Sequence, residues 1–163
     1  MLKSKAKPLT QITFSDLLRI AADEAPQFTD ASFFSLNIPK IAAQSRIIPN
    51  VDAADKFEYG QALAQGVAHA GGTFLPGMSG NVVLFAHSTD SSANVAFYNA
   101  IFYRLDELIA GDQITLWYLG KKYDYRVSGQ QIVTPDNVEV FRSHPGSEVL
   151  YLVTCTPRGT TKN

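Results

Sequence analysis

The stretch that most constrains this chain is Glu148-Val149-Leu150-Tyr151-Leu152-Val153-Thr154-Cys155-Thr156-Pro157, an apolar run ending in the single cysteine of the sequence. Its length, its β-branched and aromatic content, and the Pro157 and Gly159 that follow predict a buried strand stopping at Cys155. Side chains alternate along a strand, so Val149, Tyr151, Val153 and Cys155 share one face and Leu150, Leu152 and Thr154 the other. Both faces are mostly apolar, which predicts cover on both sides. A free cysteine is among the most buried residue types, and alone it reads as a small hydrophobe. A second run changes its meaning. Asn81-Val82-Val83-Leu84-Phe85-Ala86-His87 also predicts a strand, after which the chain turns polar at Ser88-Thr89-Asp90-Ser91-Ser92. An imidazole and a thiol thus each sit where a strand meets a loop. A Cys and a His distant in sequence and adjacent in space are what a thiol nucleophile and its acid/base partner require. Cys155 and His87 are the candidate catalytic pair.

From Ser32 onward the pattern is short strands divided by turns, with no internal repeat. Phe33 to Asn37 and Ser45 to Ile48 are strand-like, and Pro39 and Pro49 confine them to edges or ends. Asp52 to Leu63 predicts a short helix with Ala53, Phe57 and Leu63 facing inward. Gly66 to Gly80, with Gly71, Gly72, Pro76 and Gly77, predicts a loop holding a brief strand at Val67 to His69. A helix is expected around Ala93 to Ile109. Gln113 to Tyr118 and Tyr123 to Val133 then predict a hairpin around Leu119-Gly120-Lys121. Many short strands with helices only as connections point to a mainly β fold, a small mixed barrel. Ahead of it lies a basic start (Lys3, Lys5, Lys7) and a predicted helix from Phe14 to Glu24. There Thr13 and Asp16 fit a capping box, and Phe14, Leu17, Leu18 and Ala21 recur at helical spacing until Pro26. The organisation expected is a lead-in segment over 1–31 and a barrel domain over 32–163.

A length of 163 residues supports one domain with a sizeable core. With 14 basic against 15 acidic side chains there is no field to attract nucleic acid or an anionic membrane surface. One cysteine excludes an internal disulfide. No run of about 18 apolar residues is present, and Met1 to Thr10 lacks the apolar core of a signal peptide.

Leu152-Val153-Thr154-Cys155 resembles the TLxTC signature of the sortases, the cell-surface transpeptidases of mostly Gram-positive bacteria. Other segments resemble the family in the same order: Phe34 to Ile41 its first strand, and Gly66-Val67-Ala68-His69-Ala70 with Leu75-Pro76-Gly77 the stretch before the catalytic histidine. Gly80 to Ser88 is similar to the strand carrying that histidine, and Phe102, Leu105, Leu108 and Gly111-Asp112 to the stretch after it. The resemblance spans roughly Phe33 to the C-terminus. It implies a closed β-barrel of about seven to eight short strands with a few connecting helices. It also implies cleavage of a Leu-Pro-x-Thr-Gly type sorting peptide through a thioester on Cys155, and transfer to an amine on a peptidoglycan precursor or a pilin lysine. Thr154, facing away from Cys155, either orders the neighbouring strand or, as the resemblance adds, contacts substrate. Sortases work on the outer face of the cell membrane, held there by an N-terminal anchor segment that this sequence does not contain. They also use an arginine on the strand after the cysteine, a place that falls just beyond Asn163. Arg158, inside the turn, reads as a solvated loop cation.

The remaining histidines fit other roles: His69 structural packing, His144 an exposed polar turn. Neither spacing nor acidic clusters support a metal site, and no cofactor is implied. Two further readings follow from the same residues. One is a cysteine peptidase that uses water in place of the amine. The other is a barrel kept as a binding or scaffold module, in which Cys155 is an inert thiol. Trp117 and Tyr118 read as core or rim, and Phe97, Tyr98, Phe102 and Tyr103 as a helix face against the barrel.

Overall fold

The computed structural model describes residues 33–88, 100–142 and 146–155. The expected helix from Phe14 to Glu24, His144, Arg158 and the Thr156-Pro157 turn lie outside them, as does the first half of the helix expected at Ala93 to Ile109.

Seven strands form one sheet: β1 (Phe34–Ile38), β2 (Ala43–Val51), β3 (Val67–Ala70), β4 (Gly80–Phe85), β5 (Gln113–Tyr118), β6 (Lys121–Arg126) and β7 (Glu148–Val153). Their spatial order is β6-β5-β1-β2-β3-β4-β7. The sheet curls into a nearly closed barrel, mainly β as the sequence predicts. The β2/β3 and β4/β7 pairs are parallel and the rest antiparallel. Parallel neighbours need a crossover. Between β2 and β3 it is the helix α1 (Lys56–Gln65), started by Asp55, whose carboxylate accepts from the N–H groups of Phe57 and Glu58.

Strand alternation builds the core. Phe34, Leu36 and Ile38 of β1, Val82 and Leu84 of β4, and Ile114 and Leu116 of β5 point inside with Phe102. A smaller cluster of Val51, Ala62, Leu63 and Ala68 lies outside the barrel wall, beneath α1, with Tyr59 and Phe85 packed on it. The edge strands β6 and β7 meet where the Tyr125 hydroxyl donates to the Glu148 carboxylate. That carboxylate also takes the Gly77 N–H at 3.0 Å. Burial, and then this bond, pushes the Tyr125 phenol far above its ordinary pKa.

α1 is the one α-helix among the described residues, and three short 3-10 turns serve as the other connections. Several expectations are corrected. Residues 100–109, expected to be helical, are instead turns ending in a 3-10 turn at Leu105–Glu107. Phe57 is 75% exposed and Ala53 is exposed as well, because the helix starts later than expected and turns Ala62 and Leu63 inward. β2 runs through Pro49, tolerated where the pairing with β3 shifts register between Ile48 and Val51. β6 stops at Arg126 rather than Val133. β7 is only half covered, since its second lateral edge has no strand among the described residues, and it ends at Val153 rather than Cys155.

The β5/β6 hairpin turns on Leu119 (φ 50°) and Gly120 (φ 77°), a two-residue turn with both centres left-handed. Glycine suits its place, but leucine does not, and its side chain is 48% exposed. Leu119→Asn is therefore expected to stabilise the protein by about 0.5–1 kcal/mol, measured as a higher urea midpoint at unchanged slope.

Candidate active site

His87 and Cys155 come together through β4 and β7. The two strands are parallel and in register from Gly80↔Glu148 to Phe85↔Val153. Continued by two residues, that register sets His87 beside Cys155 on the same face of the sheet. The bonds past the strand ends keep it. Ala86 N–H donates to the Val153 carbonyl at 3.3 Å. The Thr154 hydroxyl donates to the Ala86 carbonyl at 2.8 Å, and the Ser88 hydroxyl donates back to the Cys155 carbonyl at 2.7 Å. Each tip thus holds the backbone of the other. Thr154 orders the neighbouring strand, as one of its two readings expects; Ser88 is a positioning residue that sequence reasoning missed, although its hydroxyl directly after His87 was the available signal.

Cys155 and His87 are both exposed, so a peptide chain can reach the sulfur and the ring. Although His87 reaches solvent, enough chain surrounds its ring that desolvation lowers its pKa below the ordinary 6.5. At neutral pH the imidazole is uncharged and able to take a proton.

On the same outer face, Phe85 packs between two other rings. Tyr59 of α1 meets it edge-on with centroids 6.1 Å apart, and Phe141 lies tilted over it at 6.1 Å. Phe141 belongs to the 3-10 turn Glu139–Phe141, which is tied to β4 by Asn81. The buried Asn81 amide donates to the carbonyls of Val140 (3.0 Å) and Arg142 (2.6 Å). The sequence reading passed over Asn81 and Tyr59, since partners 59 and 61 residues away for the first and 26 for the second leave no local pattern.

His69 is structural. It is 1% exposed, and Phe34 packs against it at 5.9 Å. Its Nδ1 accepts from the Asn50 N–H at 3.1 Å, while Nε2–H points at the Phe74 carbonyl (2.9 Å) and the Thr73 oxygen (3.0 Å). This pattern fits only the neutral ring, because protonating Nδ1 would face one N–H with another. Trp117, 37% exposed, lies at the rim. Among the described residues no three His, Cys, Asp or Glu side chains gather as a metal-binding group, and no helix is long and apolar enough to cross a membrane.

The arrangement is that of a curled β-sheet presenting a thiol and an imidazole at adjacent strand tips, a class of thiol-bearing mixed barrels. A family model, "Sortase domain", matches residues 36–163. The chain belongs to the sortase family. It is 30% identical over 122 residues to Sortase D of Bacillus subtilis (strain 168), a match covering 75% of this chain and 53% of that protein. Among solved structures it is similar to sortase C-1 from Actinomyces oris, with 31% identity and a TM-score of 0.64 over 78% of this chain and 66% of that one. It is also similar to the pilus-related Sortase C of Group B Streptococcus, with 27% identity and a TM-score of 0.65 over 80% and 62%. The chain spans about half the length of the curated relative it matches.

Burial lowers the pKa of His69 below 6.5, outweighing the Phe74 bond that raises it. Such a group favours folding fully above the unfolded pKa, where both states are neutral. Below it the unfolded chain binds a proton that the folded one refuses, so stability falls with pH. The thermal midpoint is expected to be flat above about pH 7 and to drop as pH falls below about 6.5. His69→Gln should lower the plateau by about 1–3 kcal/mol and flatten the acid slope, leaving the part due to His87. Scanning calorimetry between pH 5 and 8 measures both.

Proposed function

We propose that the protein is a cysteine transpeptidase whose nucleophile is Cys155 and whose proton carrier is His87. Residues 32–163 form the catalytic domain and 1–31 a lead-in segment. The observation that carries the reading is the in-register β4/β7 pairing, extended by the reciprocal Thr154 and Ser88 bonds. In the first half-reaction the Cys155 thiol gives its proton to His87, and the sulfur attacks the carbonyl carbon of a peptide bond. The C–N bond then breaks, the departing amine takes the proton from the imidazolium, and a thioester remains on Cys155. In the second half-reaction an incoming amine attacks the thioester, loses a proton to His87, and releases the sulfur, which recovers that proton. A neutral ring at rest suits both directions.

The substrate is a sorting-signal peptide of the Leu-Pro-x-Thr-Gly kind on a secreted protein. The acceptor is the amine of a peptidoglycan precursor or a pilin lysine, and the setting is the extracytoplasmic face of a bacterial membrane. What supports these assignments is membership of the sortase family and likeness to a pilus-related Sortase C. A substrate contact by Thr154 belongs to the same reading.

Incubation with a Leu-Pro-x-Thr-Gly peptide should leave an acyl adduct on Cys155 by mass spectrometry, discharged by added amine into a new amide. Cys155→Ala and His87→Ala should each lower turnover by at least about 1,000-fold with the fold intact. An unmodified Cys155 in a folded, peptide-saturated sample contradicts the assignment. Release of the free acid alone, whatever the amine concentration, points to a peptidase instead.

A further inference from the structure

Asn81 is a buried polar residue in a strand otherwise filled with apolar ones. It opens the row Asn81, Val83, Phe85 and His87 on the outer face of β4, since Val82 and Leu84 point into the core and side chains alternate. It is 1% exposed, and its Nδ2 donates to the Val140 carbonyl at 3.0 Å and to the Arg142 carbonyl at 2.6 Å. The other polar atom of the amide, Oδ1, is buried and meets no donor among the described residues, so it opposes part of what the two bonds gain. Between those two carbonyls stands Phe141, whose ring lies tilted over Phe85 with centroids 6.1 Å apart and which is 45% exposed. Phe85 precedes His87 by one alternation step, and the β4/β7 register sets Cys155 beside that histidine. The stretch that carries Phe141 has little burial of its own: from 128 to 142 no residue is buried. Two side-chain amides fasten its ends, Gln130 to the carbonyls of Leu105 (3.2 Å) and Leu108, and Asn81 to those of Val140 and Arg142.

We propose that Asn81 is a positioning residue of the thiol site, a latch that holds the 139–142 turn on β4 and so sets Phe141 as one wall of the approach to His87 and Cys155. The role rests on the reading of Cys155 as the nucleophile and adds to it a part for a buried amide that touches no reacting atom. One amide bonded to carbonyls on either side of Phe141 fixes the backbone that carries the ring, so the ring stays on Phe85 while both bonds hold. A wall fixed beforehand spares a bound peptide the cost of ordering it. The effect of Asn81 therefore falls on peptide binding and not on bond making. Gln130 pins the far end of the stretch, which leaves the turn able to lift from β4 when the Asn81 bonds open.

Trypsin reads the latch without any peptide substrate. The Arg142 side chain is 69% exposed, but its carbonyl is held by Asn81, and trypsin must take that carbonyl into its own site. In Asn81→Leu, which keeps the size of the residue and removes the donor, native-state cleavage after Arg142 should run at least about tenfold faster, with cuts elsewhere in the barrel unchanged by mass spectrometry. With a Leu-Pro-x-Thr-Gly peptide and an amine, the same variant should raise KM roughly fivefold to twentyfold and keep kcat within about twofold. Phe141→Ala, at an exposed position that leaves the core untouched, should raise KM alike with the Asn81 bonds in place, and the double variant should be no worse than Phe141→Ala alone. Cleavage after Arg142 that is no faster in folded Asn81→Leu, KM effects of the two substitutions that add, or a lower kcat at unchanged KM overturns the proposal. A KM unmoved by Phe141→Ala overturns it even where Asn81→Leu does not fold. Faster cleavage after Arg142 with no acyl transfer by any variant removes the transpeptidase reading and keeps the latch. Acyl transfer with a KM unmoved by Asn81→Leu keeps that reading and removes the role of Asn81.

Discussion

The parallel pairing of Gly80–Phe85 with Glu148–Val153 is the constraint on which the rest of the molecule depends. Parallel neighbours run the same way, so both chains end at one edge of the barrel, and whatever follows each strand is delivered to the same place. Val82 and Leu84 point into the core and Asn81, bonded to the Val140 and Arg142 carbonyls, away from it, so a slip by one residue would turn Asn81 and Phe85 to the core side and Val82 and Leu84 out of it. The core therefore fixes the register, and the register places His87 opposite Cys155. Thr154 and Ser88 carry the alignment past the last ladder bonds, where strands otherwise fray.

Two histidines with lowered pKa values show how one physical cause serves two ends. Burial holds both rings neutral. For His69 the neutral ring satisfies the Asn50 N–H on one side and the Phe74 carbonyl on the other, and so ties the Gly71–Gly80 loop to the β2 edge. For His87 the exposed position leaves a neutral ring able to exchange protons with a neighbour. Spending an imidazole on structure fixes the loop that leads straight into β4, and that loop also gives the Gly77 N–H to Glu148 at the start of β7. The elements around the two strand tips are thus held from the barrel interior outward.

Much of this was legible in the sequence because strand signals are local. The two apolar runs, the Gly and Pro punctuation and the Leu119-Gly120 turn each carry their own evidence, and together they gave a mainly β barrel with His87 and Cys155 at strand ends. What failed depended on contacts distant in sequence. The helical spacing around Phe102 and Leu105 reflects burial inside the barrel rather than a helix, since Phe102 is buried at 1% exposure within a run of turns. Phe57 looked like an inward anchor, yet α1 begins at Lys56 and leaves it in solvent. Leu150 and Leu152 suggested a strand covered on both sides, whereas β7 lies at one end of the sheet order. Asn81 and Ser88 went unnoticed because each bonds to a partner at least 59 residues away.

The central claim is geometric, and proximity can be measured without any catalysis. Replacing His87 by cysteine puts a second thiol opposite Cys155, in a protein with no other cysteine. Neighbouring strands hold in-register residues within the Cα separation of about 4.4–6.8 Å that a disulfide spans. Under a mild oxidant, His87→Cys should lose both free thiols by forming an intramolecular bridge, seen as a monomer two mass units lighter. Two thiols that stay free in the folded monomer, or that bridge only between molecules, would contradict the alignment of the two tips.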